Sequence, residues 1–497
     1  MAAFLYGASI QGIQKFIFET KKLKEIVGAS ELVEQMSNEL FQKEFKINED
    51  DMIMHAAGNV RLLSEDEHLI KNIVKTWPKI VGSKAPGLVL SQAVVKVEGT
   101  LNKSHFDLLE KRLRIARNRQ FITQPVTPMA SIRSRRTGKA AIDWNDDGKP
   151  RDCSSKVKQE IAGKDAKQNL MEKSLGENAK QFLNSFAMDV THMMYKDEET
   201  GWLAVIHADG NNMGKLIQLI SQKLEKNQSD FKDFFKKFSE ILNKSTIAAT
   251  EYAVNQIILP EKKNSKKLPF RPVVVGGDDL TIIIRADLAL SFTEVYLKKF
   301  NEETTNNFKE LAATFSLDEL KNGLTACAGI AYMKDSFPFH YAVDLAESLC
   351  ADAKKYAKQI DKVNVPSALL FHKVYDSFVD DYSEIEAREL TAANGISFKY
   401  GPYGTDGRGL ASINELKEQV ELILRDDSPR SGIRKWLSLL HNDLNKANLW
   451  LERVKEITGA EFRKKLNLET AISSNKTHLF DVLTIASISK KRKGGKH

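Results

Sequence analysis

Apolar and polar positions along the chain alternate between the period of a strand and the period of a helix. The resulting order of elements occurs twice. A short apolar run at residues 3–6 is followed by turn-like residues 7–12, then by helical spacing over 13–18 and from 30 to about 45. Met52-Ile53-Met54 and residues 60–63 read as two strands. Between them Ala56-Ala57-Gly58-Asn59 is a tight turn by its Gly-Asn chemistry. A helix from about 65 to 77, a β-branched strand at 88–97 and a basic helix at 104–117 complete the order β-α-β-β-α-β-α, which is ferredoxin-like.

The second occurrence starts with an apolar strand at 202–206. Asp209-Gly210-Asn211-Asn212 reads as a loop, and Met213-Gly214-Lys215-Leu216 opens a helix. A long helix over about 231–256 precedes strand 272–275, the turn Gly276-Gly277-Asp278-Asp279 and strand 280–284. Helix 288–313, strand 324–332 and helix 339–360 follow. The two hairpin tips correspond, and only the second carries carboxylates. Between the copies, residues 143–180 are polar and Lys-rich, which predicts a mobile insert. Beyond about 375 the pattern is mostly helical, with amphipathic stretches at 410–424 and 433–457, and the chain closes on Lys490-Lys491-Arg492-Lys493, read as a frayed tail. The expected class is α+β with two ferredoxin-like palm domains. The expected divisions are 1–125 (first palm, degenerate at its tip), 126–198 (partly helical linker or insert), 199–375 (second palm) and 376–497 (mainly helical domain with a basic tail).

Composition narrows the chemistry only a little. With 497 residues and 42% hydrophobic side chains, the chain can bury a large core without disulfide staples. A net charge of +8 permits a nucleotide or nucleic-acid partner. The three cysteines, Cys153, Cys327 and Cys350, are far apart and form no Cys-x-x-Cys, so neither a disulfide framework nor a thiolate zinc site is expected. This fits a reducing, cytoplasmic compartment. No apolar run reaches the roughly 18 residues of a membrane span.

The chemistry-bearing residues cluster at the ends of apolar strands. Gly276 and Gly277 let the backbone turn and let a phosphate approach without Cβ interference. Asp278 and Asp279 at the tip can reach a hard divalent cation. Asp209 follows an apolar strand. In a ferredoxin-like unit the first and third strands are neighbours, so Asp209 is expected beside the Asp278-Asp279 hairpin. Three such carboxylates can hold two Mg²⁺ (or Mn²⁺) ions for an in-line phosphoryl displacement. Asn212, Met213 and Gly214 start a helix whose free N–H groups suit a phosphate. Lys354 follows the fourth strand, on a helix from which it can reach a triphosphate. His207 lies on the same strand face as Asp209 and reads as a core histidine. No Walker-type loop or Ser/His/Asp arrangement is present.

These residues resemble the large palm-domain polymerase subunit of type III CRISPR effector complexes. The resemblance rests on residues 9–18 with Gly28-Ala29-Ser30-Glu31-Leu32, on Asp209-Gly210-Asn211-Asn212-Met213-Gly214, on the Gly-Gly-Asp-Asp hairpin, and on Ala353-Lys354 after Phe337-Pro338-Phe339. Weaker echoes are Phe371-His372, Gly401-Pro402-Tyr403 and Leu479-Phe480-Asp481. The resemblance implies conversion of ATP to cyclic oligoadenylate, with Gly28 and Ser30 of the first palm helping to bind a second nucleotide. It also implies guide or target RNA and effector subunits as partners. The chain departs from the family in three respects. It has no His-Asp dipeptide, so the family's nuclease activity is not expected. Asn211 stands where the second acid of an Asp-x-Asp signature is usual. Ser131-Ile132-Arg133-Ser134 replaces a Cys-x-x-Cys knuckle, so no zinc is expected. Two other functions compete: an inactive scaffold subunit holding guide RNA and partner subunits, and a standalone cyclase making another cyclic nucleotide.

Overall fold

Burial on both faces makes a strand of the first apolar run: six of the nine residues of β1 (Ala3–Gln11) are buried. The structure, a computed structural model, describes residues 3–20, 22–37, 39–56, 58–119, 130–145, 147–164, 169–182, 185–198, 201–226, 230–375, 382–392 and 394–489. The basic tail, Ala57 of the first hairpin tip and the predicted division near residue 125 lie outside these residues. After β1 come α1 (Ile13–Ile17), α2 (Leu23–Ser37), α3 (Glu39–Phe45), β2 (Met52–Ala56), β3 (Asn59–Ser64), α4 (Glu67–Lys84), β4 (Val89–Val97) and α5 (Lys103–Arg117). The sheet order is β2-β3-β1-β4 and every pair is antiparallel, the ferredoxin-like arrangement. Helix α4 continues seven residues past the predicted end at Trp77, through Pro78. Trp77 and Val81 are both buried, and that packing offsets the hydrogen bond that proline removes.

The region read as a mobile insert is folded. It contains the hairpin β5 (Ala141–Trp144) and β6 (Pro150–Asp152), then α6 (Cys153–Lys164), α7 (Asn169–Leu175) and α8 (Ala179–Phe182). Few of its residues are apolar, but Ala162, Leu170, Met171, Leu175 and Ala179 are fully used in the core. Helix α6 lies against α2. There the buried Lys158 donates to the Phe16 carbonyl (2.7 Å) and pairs with Glu19 (3.2 Å).

The second sheet takes β7 (Trp202–Gly210), β8 (Phe270–Gly276), β9 (Asp279–Arg285) and β10 (Ala326–Lys334) in the order β10-β7-β9-β8, again ferredoxin-like. Its helices are α9 (Met213–Lys226), α10 (Phe231–Ala253), α11 (Ala286–Asn307), α12 (Lys309–Thr314) and α13 (Phe339–Ile360). The sheet is wider than the pattern predicts: β11 (Ala368–Lys373), fully buried, pairs parallel to β10. Two short strands, β12 (Tyr403–Gly404) and β13 (Ala411–Ser412), extend it further. The remainder is helical: α14 (Tyr382–Glu389), α15 (Ile413–Leu424), α16 (Arg430–Asn442), α17 (Leu444–Ile457), α18 (Ala460–Lys465) and α19 (Leu479–Ile488). The two sheets meet where Ser30 Oγ on α2 donates to the Val273 carbonyl on β8. Among the described residues no helix is long and apolar enough to cross a membrane.

Candidate active site

Register places the acids. β7 runs four residues beyond the predicted strand end at 206 and reaches the level of the hairpin. Asp209 thus sits opposite Cys327 of β10, and His207 opposite Thr281 of β9. Gly276 and Asp279 close the β8–β9 hairpin as a direct pair. Gly277 turns it at φ 62°, a conformation that favours glycine. Helix α10 pins the tip: Thr246 Oγ1 donates to the Gly277 carbonyl (2.5 Å), and the Gly277 N–H is 3.4 Å from Asn243 Oδ1. Gly210 is the spacer that sequence reasoning missed. A Cβ there would lie 2.9 Å from Asp278 Cβ and 3.0 Å from its Oδ2, so only glycine lets the hairpin come this close to β7.

Three carboxylates converge as a result. One oxygen from each of Asp209, Asp278 and Asp279 lies within 4.8 Å of the others. Burial and the neighbouring Asp209 push the Asp278 carboxyl up to about 6. Burial and then the Asp278 charge push Asp279 well above the ordinary carboxylate range. Packing like charges this tightly is costly without a counter-charge. Lys354 on α13 supplies one: its Nζ pairs with Asp209 Oδ2 and donates to the Gly210 carbonyl (2.8 Å). A single ammonium faces three carboxylates, so the oxygen-only donor set fits a divalent cation of the Mg²⁺ or Mn²⁺ type.

Beside the acids a cavity of about 500 Å³ opens between the two sheets. Ser30 and Gln14 line it from the first palm, Lys173 from α7, and His207, Asp279 and Glu347 from the second palm. His207 is buried, with Nδ1 3.1 Å from Thr281 Oγ1, and burial lowers it to about 4, so it is neutral near pH 7. Glu347, on α13, was not foreseen. Burial, then Asp344 and Asp209, raise its carboxyl to about 7. It sits one position after Ala346 and two before Leu349, both buried core residues, so it reads in sequence as a polar gap in a core-facing pattern.

Asn212, Met213 and Gly214 stand at the start of α9. The amides of Met213, Gly214 and Lys215 precede the first helical bond, Leu216 N–H to the Asn212 carbonyl (2.9 Å). Asn212 has a positive φ of 56° and donates to the Lys362 carbonyl (3.2 Å). Asn211 does not join the carboxylates: its Nδ2 donates to Thr325 Oγ1 (3.0 Å) and the Pro366 carbonyl (3.4 Å). Gly28 does not line the cavity, contrary to the nucleotide-binding role expected for it. A Cβ there would lie 1.7 Å from the Lys158 carbonyl oxygen, so its small size serves the α2–α6 packing instead.

Known proteins share this fold. Residues 202–363 match the family model of the Cas10/Cmr2 second palm domain. Among solved structures, the fold is similar to a Csm1-Csm4 cassette in complex with cA3, with TM-score 0.55 and 12% identity over 98% of this chain and 70% of that one. It is also similar to cassettes in complex with pppApApA (TM-score 0.50, 14% identity) and pppApA (TM-score 0.50, 13% identity), each covering 98% of this chain and 69% of that one. No curated protein matches the sequence.

Proposed function

We propose that this chain, which carries a Cas10/Cmr2-type second palm, is a nucleotidyltransferase that joins ATP into cyclic oligoadenylate as part of a type III CRISPR-like defence system. The carrying observation is the convergence of Asp209, Asp278 and Asp279 at strand ends beside a cavity of about 500 Å³ bounded by both palms. A cavity of this size suits nucleotide-sized ligands. Adenine is the base in this reading because the similar cassettes hold cA3, pppApApA and pppApA.

In the reaction, the 3′-hydroxyl oxygen of one nucleotide forms a bond to the α-phosphorus of another. The bond to pyrophosphate breaks, and the hydroxyl proton departs. Asp209, Asp278 and Asp279 would hold Mg²⁺ or Mn²⁺, which offsets charge on the reacting phosphate oxygens. The free amides of Met213 and Gly214 at the α9 N-terminus face anions favourably. Gly276 and Gly277 leave the hairpin backbone open to a phosphate, and Lys354 offers a cation at the same strand ends. Ser30 brings the first palm to the shared cavity.

The test is incubation of the protein, alone and with effector subunits and RNA, with each NTP and Mg²⁺ or Mn²⁺, products being resolved by mass spectrometry. Oligoadenylate is expected, and Asp278→Ala/Asp279→Ala should lower its formation at least about a hundredfold. Absence of both product and nucleotide binding under every condition would favour the scaffold role, to which Asn211, turned away from the acids, lends support. Another cyclic nucleotide as product would identify the standalone cyclase.

A further inference from the structure

The cavity between the two palms holds one acid that the phosphoryl transfer leaves unused. Glu347 lines it, half-buried, and among the described residues makes no hydrogen bond and no ion pair. The other acids of the wall are accounted for: Glu34 pairs with Lys173, and Asp279 belongs to the three converging aspartates. Two contacts fix the height of α13 on the sheet. Cys350 Sγ donates to the Cys327 carbonyl (3.1 Å), and a Cβ on Gly329 would stand 1.9 Å from the Ala346 carbonyl oxygen. Across β10 and β7, Cys327 is opposite Asp209 and Gly329 opposite His207. Alternate residues of a strand share a face, so Asp209 and His207 project to the same side. The pairing of Lys354 with Asp209 shows that α13 covers that side. Glu347 and Lys354 lie two turns apart on one face of α13, about 10 Å along its axis. Glu347, next after Ala346, therefore stands near the level of His207, about 7 Å behind Asp209 along the strand.

This place decides what Glu347 can meet. A carboxylate repels phosphate, and when ionised it only accepts hydrogen bonds. On a nucleotide its partners are therefore the donors, which are the ribose hydroxyls and the amino group of the base. The ribose is the part joined directly to the phosphates, and the phosphates belong at the aspartates. We infer, on the nucleotide site proposed above, that Glu347 accepts hydrogen bonds from the ribose hydroxyls of the nucleotide bound beside the aspartates, and so selects ribonucleotides over deoxyribonucleotides. The neighbouring 2′- and 3′-hydroxyls offer two donors to the two oxygens of one carboxylate, and an acid on the ribose 2′-hydroxyl serves the same purpose in dinucleotide-binding folds. Half-burial sharpens the choice, because an acceptor drawn out of water loses more when its donor is missing than an exposed one does.

The test is equilibrium binding of adenosine 5′-(α,β-methylene)triphosphate and of its 2′-deoxy and 3′-deoxy counterparts, with Mg²⁺ at pH 8. The carbon bridge blocks joining, so binding is read without turnover. At that pH Glu347, raised to about 7, is mainly ionised. The unaltered chain should bind the ribonucleotide about tenfold more tightly than at least one deoxy analogue, the effect of losing one hydrogen bond to a charged group. Glu347→Ala should bring that ratio below about twofold, chiefly by weakening ribonucleotide binding. The melting temperature should hold, because the variant removes an acid that faces acids. Glu347→Gln, which keeps one acceptor oxygen, should recover part of the preference. No preference in the unaltered chain, or an unchanged preference in Glu347→Ala, overturns this role. So does a preference that survives in Glu347→Ala while discrimination between adenine and hypoxanthine analogues falls, which would put the carboxylate on the base. Failure of the unaltered chain to bind any of the three analogues would overturn the nucleotide site itself, and this role with it.

Discussion

Two carboxylates of the β8–β9 hairpin and one on α13 hold protons to higher pH than ordinary carboxylates do. Asp278 titrates near 6 and Glu347 near 7, and Asp279 is raised as well, each first through burial and then through neighbouring acids. Groups raised on folding stabilise the fold fully below the unfolded carboxylate range, near 4, and that contribution is lost as pH rises through their folded values. Without divalent cations, thermal stability should therefore fall between pH 4 and 7. Asp278 alone accounts for at most about 3 kcal/mol of the loss, from a rise of about two units at 1.36 kcal/mol each. Millimolar Mn²⁺ at pH 8 should raise the melting temperature, and Asp278→Asn/Asp279→Asn should remove that rise and shrink the pH-dependent loss to the share carried by Glu347; melts with and without chelator measure this. The three aspartates are legible in sequence because each interrupts or ends an apolar strand, where a carboxylate has no packing role. Glu347 is legible only as a polar gap among the core-facing positions of α13, which says that it is turned inward but not what it meets. Only the tertiary approach of α13 to β7 makes it an acid facing acids.

At the scale of elements, the contact that sets Lys354 in place is between α13 and β10. A Cβ on Gly329 would stand 1.9 Å from the Ala346 carbonyl oxygen, in the middle of α13. Gly329→Ala should push that helix off the sheet. The expected cost is roughly 1–3 kcal/mol in a urea melt, with nucleotide turnover falling more than the stability loss explains. Element order was readable because apolar periods of two and 3.6 alternate cleanly through both palms. Ends were less so: α4 passes Pro78, and β7 extends to Gly210. The insert was misread because sparse apolar residues such as Leu170 and Met171 look like a linker, yet each is buried. β11 was missed because Ala368-Leu369-Leu370-Phe371 is a short apolar run without alternation, as a strand buried on both faces must be.

Across the whole molecule, the 500 Å³ cavity exists only because two similar sheets face one another. Its walls come from residues as far apart in sequence as Gln14 and Glu347, so no single stretch of chain encodes it. Ser30→Ala would delete the hydroxyl that joins α2 to the Val273 carbonyl. It should cost about 1 kcal/mol in stability and loosen the first palm against the second, read as faster amide exchange at β8. The added strand β11 has a different consequence. Because it covers the outer side of β10, a fragment ending at residue 363, where the family match stops, would leave β10 as an uncapped border of unpaired amides and carbonyls. Such a fragment should self-associate and elute as large aggregates in size-exclusion chromatography, while one carried through α19 should remain dispersed.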